Sequence, residues 1–243
     1  MPKKEGIKIL FDDISPEYDR LNHVLSMNID KGWRRKAVRW IVDTDRPLKV
    51  LDVACGTGDL SIAIASRALK TRSRGVRVTG IDISEGMMRV GRRKVRKAGF
   101  EPQSGKNVFV EMVQADCEEL PYTDGSFDRI TAGFGVRNFE HLDLGLREMA
   151  RVLSDDGRLV ILELSVPSNV IIRWIYKLYF MKILPGVGGK VSGNRGAYEY
   201  LPASVLRFPK PDKFIPMLKE AGFRKVIHKP LTFGICRMYV CEK

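Results

Sequence analysis

The run Lys49-Val50-Leu51-Asp52-Val53-Ala54-Cys55-Gly56-Thr57-Gly58-Asp59 decides the fold. Its first part, Lys49–Ala54, is short and apolar and ends at glycines, as a strand buried on both faces does. A helix is expected from Thr57 to Leu69. Gly56 and Gly58 let the backbone turn sharply and pass close to a ligand. A strand that feeds such a turn and then a helix belongs to an open α/β sheet, with the turn at the carboxyl edge where such sheets bind ligands.

Working outward, the same rhythm repeats. Val76–Asp82 reads as a second strand, Ser84 as an N-cap, and Glu85 to Lys97 as a helix. Val108–Val113 and Phe127–Phe134 are further strands, Leu142–Leu153 is a helix, and Asp155-Asp156-Gly157 is a turn before a strand at Arg158–Leu164. After a break, Lys213 to Ala221 reads as a helix ended by Gly222 at C′. Phe223–His228 and Cys236–Glu242 read as closing strands. The expected fold is a doubly wound α/β protein with a mostly parallel seven-stranded sheet, in one domain over 1–243. Within it, 1–46 forms an N-terminal helical lid, 47–165 the ligand-binding core and 166–208 a cap insertion. Residues 209–243 supply the last helix and closing strands.

The turn also indicates its ligand. A dinucleotide fold would carry a third glycine where this chain has Ser61, and Asp59 at the helix start would repel a pyrophosphate. Asp52 and Asp59 instead suit a ligand that bears an ammonium and a sulfonium, and S-adenosylmethionine carries both. Asp82, at the end of the second strand, is placed to accept from ribose hydroxyls. Asp116 can accept from an adenine amino group, and Cys117 can offer its backbone N–H. A single carboxylate of this kind is as often a helix or turn cap; the ordered set at three strand ends is what points to a nucleoside.

The chain as a whole resembles the UbiE-type family, the C-methyltransferases of menaquinone and ubiquinone biosynthesis. The match covers nearly its full length. Phe11-Asp12-Asp13-Ile14-Ser15-Pro16-Glu17-Tyr18-Asp19-Arg20-Leu21-Asn22 resembles the family's first signature, and Ile29-Asp30 with Trp33-Arg34-Arg35 its continuation. Phe134-Gly135-Val136-Arg137-Asn138 resembles its FG-x-RN block. Ala197-Tyr198-Glu199-Tyr200-Leu201, Phe208-Pro209 and Ala221-Gly222-Phe223 complete the pattern. The resemblance implies methylation of a ring carbon of a prenylated quinol with S-adenosylmethionine. It places Thr57, Asp82, Asp116 and Cys117 at cofactor positions, with Asp52, Ala54, Gly56, Gly58 and Gly133 around them. Where relatives often have a serine before the FG-x-RN block, this chain has Gly133, which leaves only backbone to make that contact.

For the reaction, Arg137 and Asn138 follow the fourth strand at the carboxyl edge. A guanidinium stays protonated, so Arg137 reads as the cation for a quinolate oxygen rather than as a base, with Asn138 on the same oxygen. The competing reading of Arg137 is a clamp for a carboxylate such as Asp19. Tyr18 and His23 are candidates for proton relay, although a lone Tyr or His is more often packing. Cys55 reads as a small buried residue, and His141 and His228 stand outside any motif.

The chain has 243 residues, 44% of them hydrophobic and 29% charged, with net charge +13. That balance favours acidic partners but is also met by solvated Lys and Arg. The stretch Arg89, Arg92, Arg93, Arg96 and Lys97 reads as a solvated helix face. Residues 170–184, part of a helix expected from Asn169 to Leu184, are apolar and aromatic apart from Arg173, Lys177 and Lys182. They are too short to cross a bilayer but suit an interfacial helix on an anionic membrane, a groove for a lipid tail, or a homodimer contact. A glycine-rich loop is expected from Pro185 to Gly196. Met1 to Leu10 lacks the apolar core of a leader, and the four cysteines show no zinc spacing, so a reduced, cytoplasmic, metal-free protein peripheral to the membrane is expected. An RNA acceptor is disfavoured: no Asn-Pro-Pro-Tyr motif, no cysteine after the fourth strand and no RNA module are present. Another small or lipid-like acceptor is the nearer alternative; a nucleotide-binding scaffold would not need the FG-x-RN block.

Overall fold

The structure, a computed structural model, describes residues 3–19, 26, 28–71, 74–178 and 195–243; of residues 175, 177 and 195–199 it describes the backbone alone. Seven strands build one sheet: β1 (Leu48–Val53), β2 (Val76–Asp82), β3 (Val108–Gln114), β4 (Phe127–Gly133), β5 (Leu153–Leu164), β6 (Lys225–Leu231) and β7 (Cys236–Glu242). Their order is β3-β2-β1-β4-β5-β7-β6, parallel except for β7, which runs antiparallel to both β5 and β6. The doubly wound seven-stranded sheet expected from the sequence is therefore present.

Alternation along the strands sends side chains to two cores, as a pleat of period two requires. Val50, Val78, Val110 and Val160 face helices α2 (Ile29–Ile41), α3 (Asp59–Lys70) and α4 (Glu85–Lys97). Leu51, Ile81, Ile130 and Ile161 face α5 (Leu142–Val152) and α8 (Pro211–Glu220). Helices α1 (Lys4–Ile14), α6 (Val170–Leu178) and α7 (Arg195–Arg207) complete the α-helices among the described residues. The strand order reverses between β1 and β4, so the turn after β1 sits at the switch point where open sheets bind ligands.

Several expected boundaries move, for local reasons. Helix α3 begins at Asp59, not Thr57, because Gly58 takes a left-handed φ of 78°. Strand β4 ends at Gly133, since Phe134 has φ 64°. Asp155-Asp156-Gly157 is not a separate turn: it lies inside β5, in the register irregularity where Leu153 pairs with Phe127 and Arg158 with Arg129. Helix α8 starts earlier, with Pro211 in its first turn, and β6 begins at Lys225 rather than Phe223. Ser84 caps α4 by accepting from Met87 N at 3.1 Å, and Gly222, at φ 111°, follows α8 as expected. Asn169 caps α6, accepting from Ile171 N and Ile172 N. The rest of the helix expected to Leu184, the glycine-rich loop up to Asn194 and His23 lie outside the described residues; Arg195 and Gly196 are already helical.

Candidate functional site

The turn after β1 is built from left-handed residues. Ala54, Gly56 and Gly58 have φ of 51°, 56° and 78°. Cys55 N donates to Ile81 O at 2.9 Å and Gly58 N to Cys55 O at 2.9 Å, which tie the loop to β2 and to itself. The loop after β4 comes equally close: a Cβ on Gly135 would lie 2.5 Å from the Ala54 Cβ, so only glycine fits there. Between the two loops and the carboxyl ends of β1, β2, β3 and β4 opens a cavity. It takes in Asp52, Thr57, Asp82, Asp116, Cys117, Gly133, Arg137 and Asn138, along with Lys4, Phe11 and Tyr18 from the N-terminal segment and Leu201 from α7. The fold thus brings together residues expected at the site that are spread along the chain from Tyr18 to Asn138.

The carboxylates do different work. Asp52 is fully buried; its Oδ2 accepts from the Ser61 hydroxyl, while Oδ1 has no hydrogen-bond partner. Burial raises its carboxyl to about 7, against the pull of the Ser61 hydroxyl and the Arg34 charge. Asp82 accepts from Gly56 N and Ser84 N, each at 2.9 Å, and burial raises its pKa as well. Each of its oxygens keeps a further lone pair for a diol. Asp116 Oδ1 accepts from Glu118 N at 2.9 Å, and Oδ2 meets the Lys4 ammonium. Asp59 corrects the sequence reading: its carboxylate pairs with Lys94 at 2.5 Å and Arg34 at 3.6 Å, so protein cations take its charge and Asp52 alone is left to a cationic ligand. Lys94 lies on the same helix as the basic residues read as a solvated face, and it turns inward to Asp19, Asp59 and Thr57 while Arg92 pairs outside with Glu85.

This donor and acceptor set fits S-adenosylmethionine. The orphaned Oδ1 of Asp52 suits an ammonium, the Asp82 carboxylate a ribose, and Asp116 an amino group at the cavity's far end. Cys55 and Cys117 have their thiols pushed well up by burial, so both are protonated and neither is a nucleophile.

Arg137 is buried, 6% exposed, and its anchoring carboxylate is Glu163, not Asp19. Arg137 Nη1 donates to Glu163 Oε1 at 2.7 Å and also to Phe134 O; Nε donates to Ser204 Oγ at 3.2 Å; and the backbone N donates to Glu163 Oε2 at 3.1 Å. Burial opposes the charge, and Glu163 more than offsets it, so the guanidinium pKa is raised. Among the described residues nothing accepts from Nη2. Asn138 is fixed from the other side: Tyr200 OH donates to its Oδ1 at 2.8 Å, which leaves the amide NH2 as a donor. Tyr18 stands at the cavity wall, edge-on to Phe11 with ring centroids 5.9 Å apart and beside Gly56. Sequence reading missed Glu163, Ser204, Lys4 and Lys94 altogether, and quoted Tyr200 only within a motif. Nothing in their local pattern marks them, because each acquires its role from a partner more than 20 residues away.

A glycine turn at the switch point, flanked by acceptors at three strand ends, defines an S-adenosylmethionine-dependent methyltransferase. A solved structure described as a SAM-dependent methyltransferase, possible histamine N-methyltransferase, from Thermotoga maritima shares the fold at TM-score 0.63 and 17% identity, covering 98% of this chain and 99% of that one. The model of the ubiE/COQ5 methyltransferase family matches residues 2–243. The demethylmenaquinone methyltransferase of Bacteroides fragilis is 42% identical over 241 residues, 99% of this chain and 94% of its own length. The ubiquinone/menaquinone biosynthesis C-methyltransferase UbiE of Geobacter sulfurreducens is 44% identical, over 99% and 90%. The chain belongs to the ubiE/COQ5 methyltransferase family.

Proposed function

We propose that the protein methylates a ring carbon of a prenylated quinol, demethylmenaquinol or the equivalent benzoquinol, and that Arg137 and Asn138 hold the oxygen next to that carbon. The observation that carries this is the pair of N–H groups left over at the cavity: Arg137 Nη2, on a guanidinium locked by Glu163, and the Asn138 amide, turned by Tyr200. Bound S-adenosylmethionine supplies an electrophilic methyl on sulfonium. Asp52, Thr57, Asp82, Asp116, Cys117 and the backbone of Ala54, Gly56, Gly58 and Gly133 hold it. A ring carbon becomes nucleophilic as its neighbouring hydroxyl loses a proton, and a preorganised cation and amide stabilise that oxygen without reorganising. Arg137 cannot take the proton, since its pKa is raised further. Tyr18, on the same wall, is the candidate for relaying it.

A lipid-like acceptor must leave a membrane to reach this cavity. Helix α6 turns Val170, Ile171, Trp174 and Leu178 to solvent, with Trp174 67% exposed. Together with the net charge of +13 this supports peripheral docking on an anionic cytoplasmic membrane face. No helix among the described residues is long and apolar enough to cross a membrane. Incubation with labelled S-adenosylmethionine and a panel of demethylated naphthoquinols, benzoquinols and bulk RNA tests the function. Label in a quinol ring is expected; label in RNA alone, or in neither quinol, refutes it.

A further inference from the structure

A second groove lies outside the methyl-transfer cavity, between the start of α6, the junction of α7 and α8, and the hairpin of β6 and β7. Its lining includes Ser165, Ser168, Arg173, Lys210, His228 and Arg237. Arg237, on β7, is 8% exposed, yet no carboxylate lies within ion-pair distance of it among the described residues. Its partners are neutral: Nε donates to Ser165 Oγ at 3.0 Å, Nη2 to Ser168 Oγ at 3.2 Å, and Nη1 meets His228 Nε2 at 2.9 Å. Burial first, and the Arg237 charge second, hold the His228 imidazole below its ordinary value, so at neutral pH it stays uncharged and adds no second cation.

A buried cation satisfied only by neutral groups is unusual, because desolvating a charge is costly unless an opposite charge answers it. The excess grows with the neighbours. Arg173 donates through Nη2 to Ser168 O at 2.6 Å; among the described residues its Nε is enclosed without a partner and no carboxylate lies within ion-pair distance of it. Lys210 stands at the rim. Among the described residues two carboxylates also line the groove: Glu163, the cross-strand neighbour of Arg237 but engaged by Arg137, and Asp212, which is exposed. His228 stacks on Tyr239 with centroids 5.0 Å apart and forms a flat wall.

We infer that this groove binds a phosphate group, held between the guanidinium forks of Arg173 and Arg237 with Lys210 at the mouth. Guanidinium forks match the oxygens of phosphate, and charge-assisted bonds would give Arg173 and Arg237 the anionic contact that neither carboxylate of the groove makes. The phosphate can come from a soluble monoester or from a lipid headgroup. The groove opens at Ser168, two residues before Val170 begins the exposed apolar stripe of α6, a spacing that suits a headgroup beneath an interfacial helix. The inference rests on charge and geometry at this groove alone, so the methyl-transfer reading stands or falls separately.

The test uses the full chain. Inorganic phosphate and glycerol 3-phosphate are titrated while the His228 ring is followed by NMR, and binding to vesicles of phosphatidylcholine with and without phosphatidylglycerol is measured by cosedimentation. Arg237→Gln removes a buried side chain, so the more accessible Arg173→Gln and Lys210→Gln carry the comparison, with S-adenosylmethionine binding as the check on folding. A saturable shift of His228 is expected, weakened about tenfold in each variant. Saturation by the soluble phosphates assigns a free phosphate; a variant-sensitive response to vesicles alone assigns a headgroup. No saturable response to either source, or a response that both variants leave unchanged, overturns the inference.

Discussion

At the scale of the residue, two side chains show how burial sets chemistry. Arg137 is held by Glu163, Ser204 and Phe134 O, and keeps one N–H pair for the cavity. Arg137→Lys keeps the charge but loses the fork, and is expected to lower kcat by about 10² while the dissociation constant for S-adenosylmethionine stays within about twofold. Steady-state kinetics and calorimetry check this, and full activity refutes the role. Tyr200→Phe removes the donor that turns the Asn138 amide; kcat is expected to fall by about tenfold with little change in Tm. An equal loss carried entirely in KM would instead assign Tyr200 to substrate packing. Asp52 makes a pH prediction. Its folded value of about 7 lies above the ordinary carboxyl range, so the fold favours the protonated form. The stability this confers is complete below the unfolded value and is lost as pH rises through about 7. Asp52→Asn cannot ionise and keeps an acceptor for Ser61. Its Tm, measured without ligand, is therefore expected to fall less between pH 5 and pH 8 than that of the parent. Parallel Tm–pH curves would contradict the assignment.

At the scale of the element, the N-terminal helix is tied to the core at both ends: Lys4 meets Asp116 and donates its backbone N–H to Glu140 at the start, and Asp12 fastens the end. Asp12 Oδ1, at the end of α1, accepts from Ser84 Oγ at 2.6 Å and Gly86 N at 2.8 Å, and so supplements the N-cap of α4 from another part of the chain. The close fit forbids a side chain at Gly86, whose added Cβ would meet Asp12 Cα at 3.0 Å. Losing a cap costs about 1 kcal/mol, and for a chain of this size that is about 3 °C in Tm. Asp12→Ala is expected to show that drop by calorimetry, with faster amide exchange across α1 than across β1. Unchanged exchange in α1 would mean that the Lys4 pairs and apolar contacts hold the helix without Asp12. The sequence showed Ser84 as a cap because a helix start has a local signature. It did not show Asp12, because a cap delivered across 72 positions has none.

At the scale of the whole molecule, the tip of the β6 and β7 hairpin packs against the segment Ser165–Pro167 that leads into α6. A Cβ on Gly234 would be 3.7 Å from Pro167 Cα, and the neighbouring Phe233 is 76% exposed at φ 56°. A large aromatic held in a left-handed, solvated turn is costly and is found where surfaces work. Trp174→Ser is expected to reduce cosedimentation with phosphatidylglycerol vesicles several-fold while leaving S-adenosylmethionine binding intact. Indifference of the parent protein to anionic lipid would remove the membrane reading, and concentration-dependent sedimentation without lipid would assign the stripe to a second copy.

The order of strands and helices, the glycine turn at its switch point and the acceptors at three strand ends were all legible in the chain, because each is set by neighbours within a few residues: pleat and helix periods, left-handed glycines, a carboxylate closing a strand. What only tertiary structure decided is which charges remain available. Asp59 carried the same sequence signal as Asp52, yet Lys94 and Arg34 neutralise one while burial leaves the other with an unmatched oxygen. Arg137 was found by motif, but Glu163, which makes it rigid, was found by the pairing of distant strands and loops. Electrostatic roles depend on partners brought together through space, and that pairing is fixed by packing rather than by local pattern.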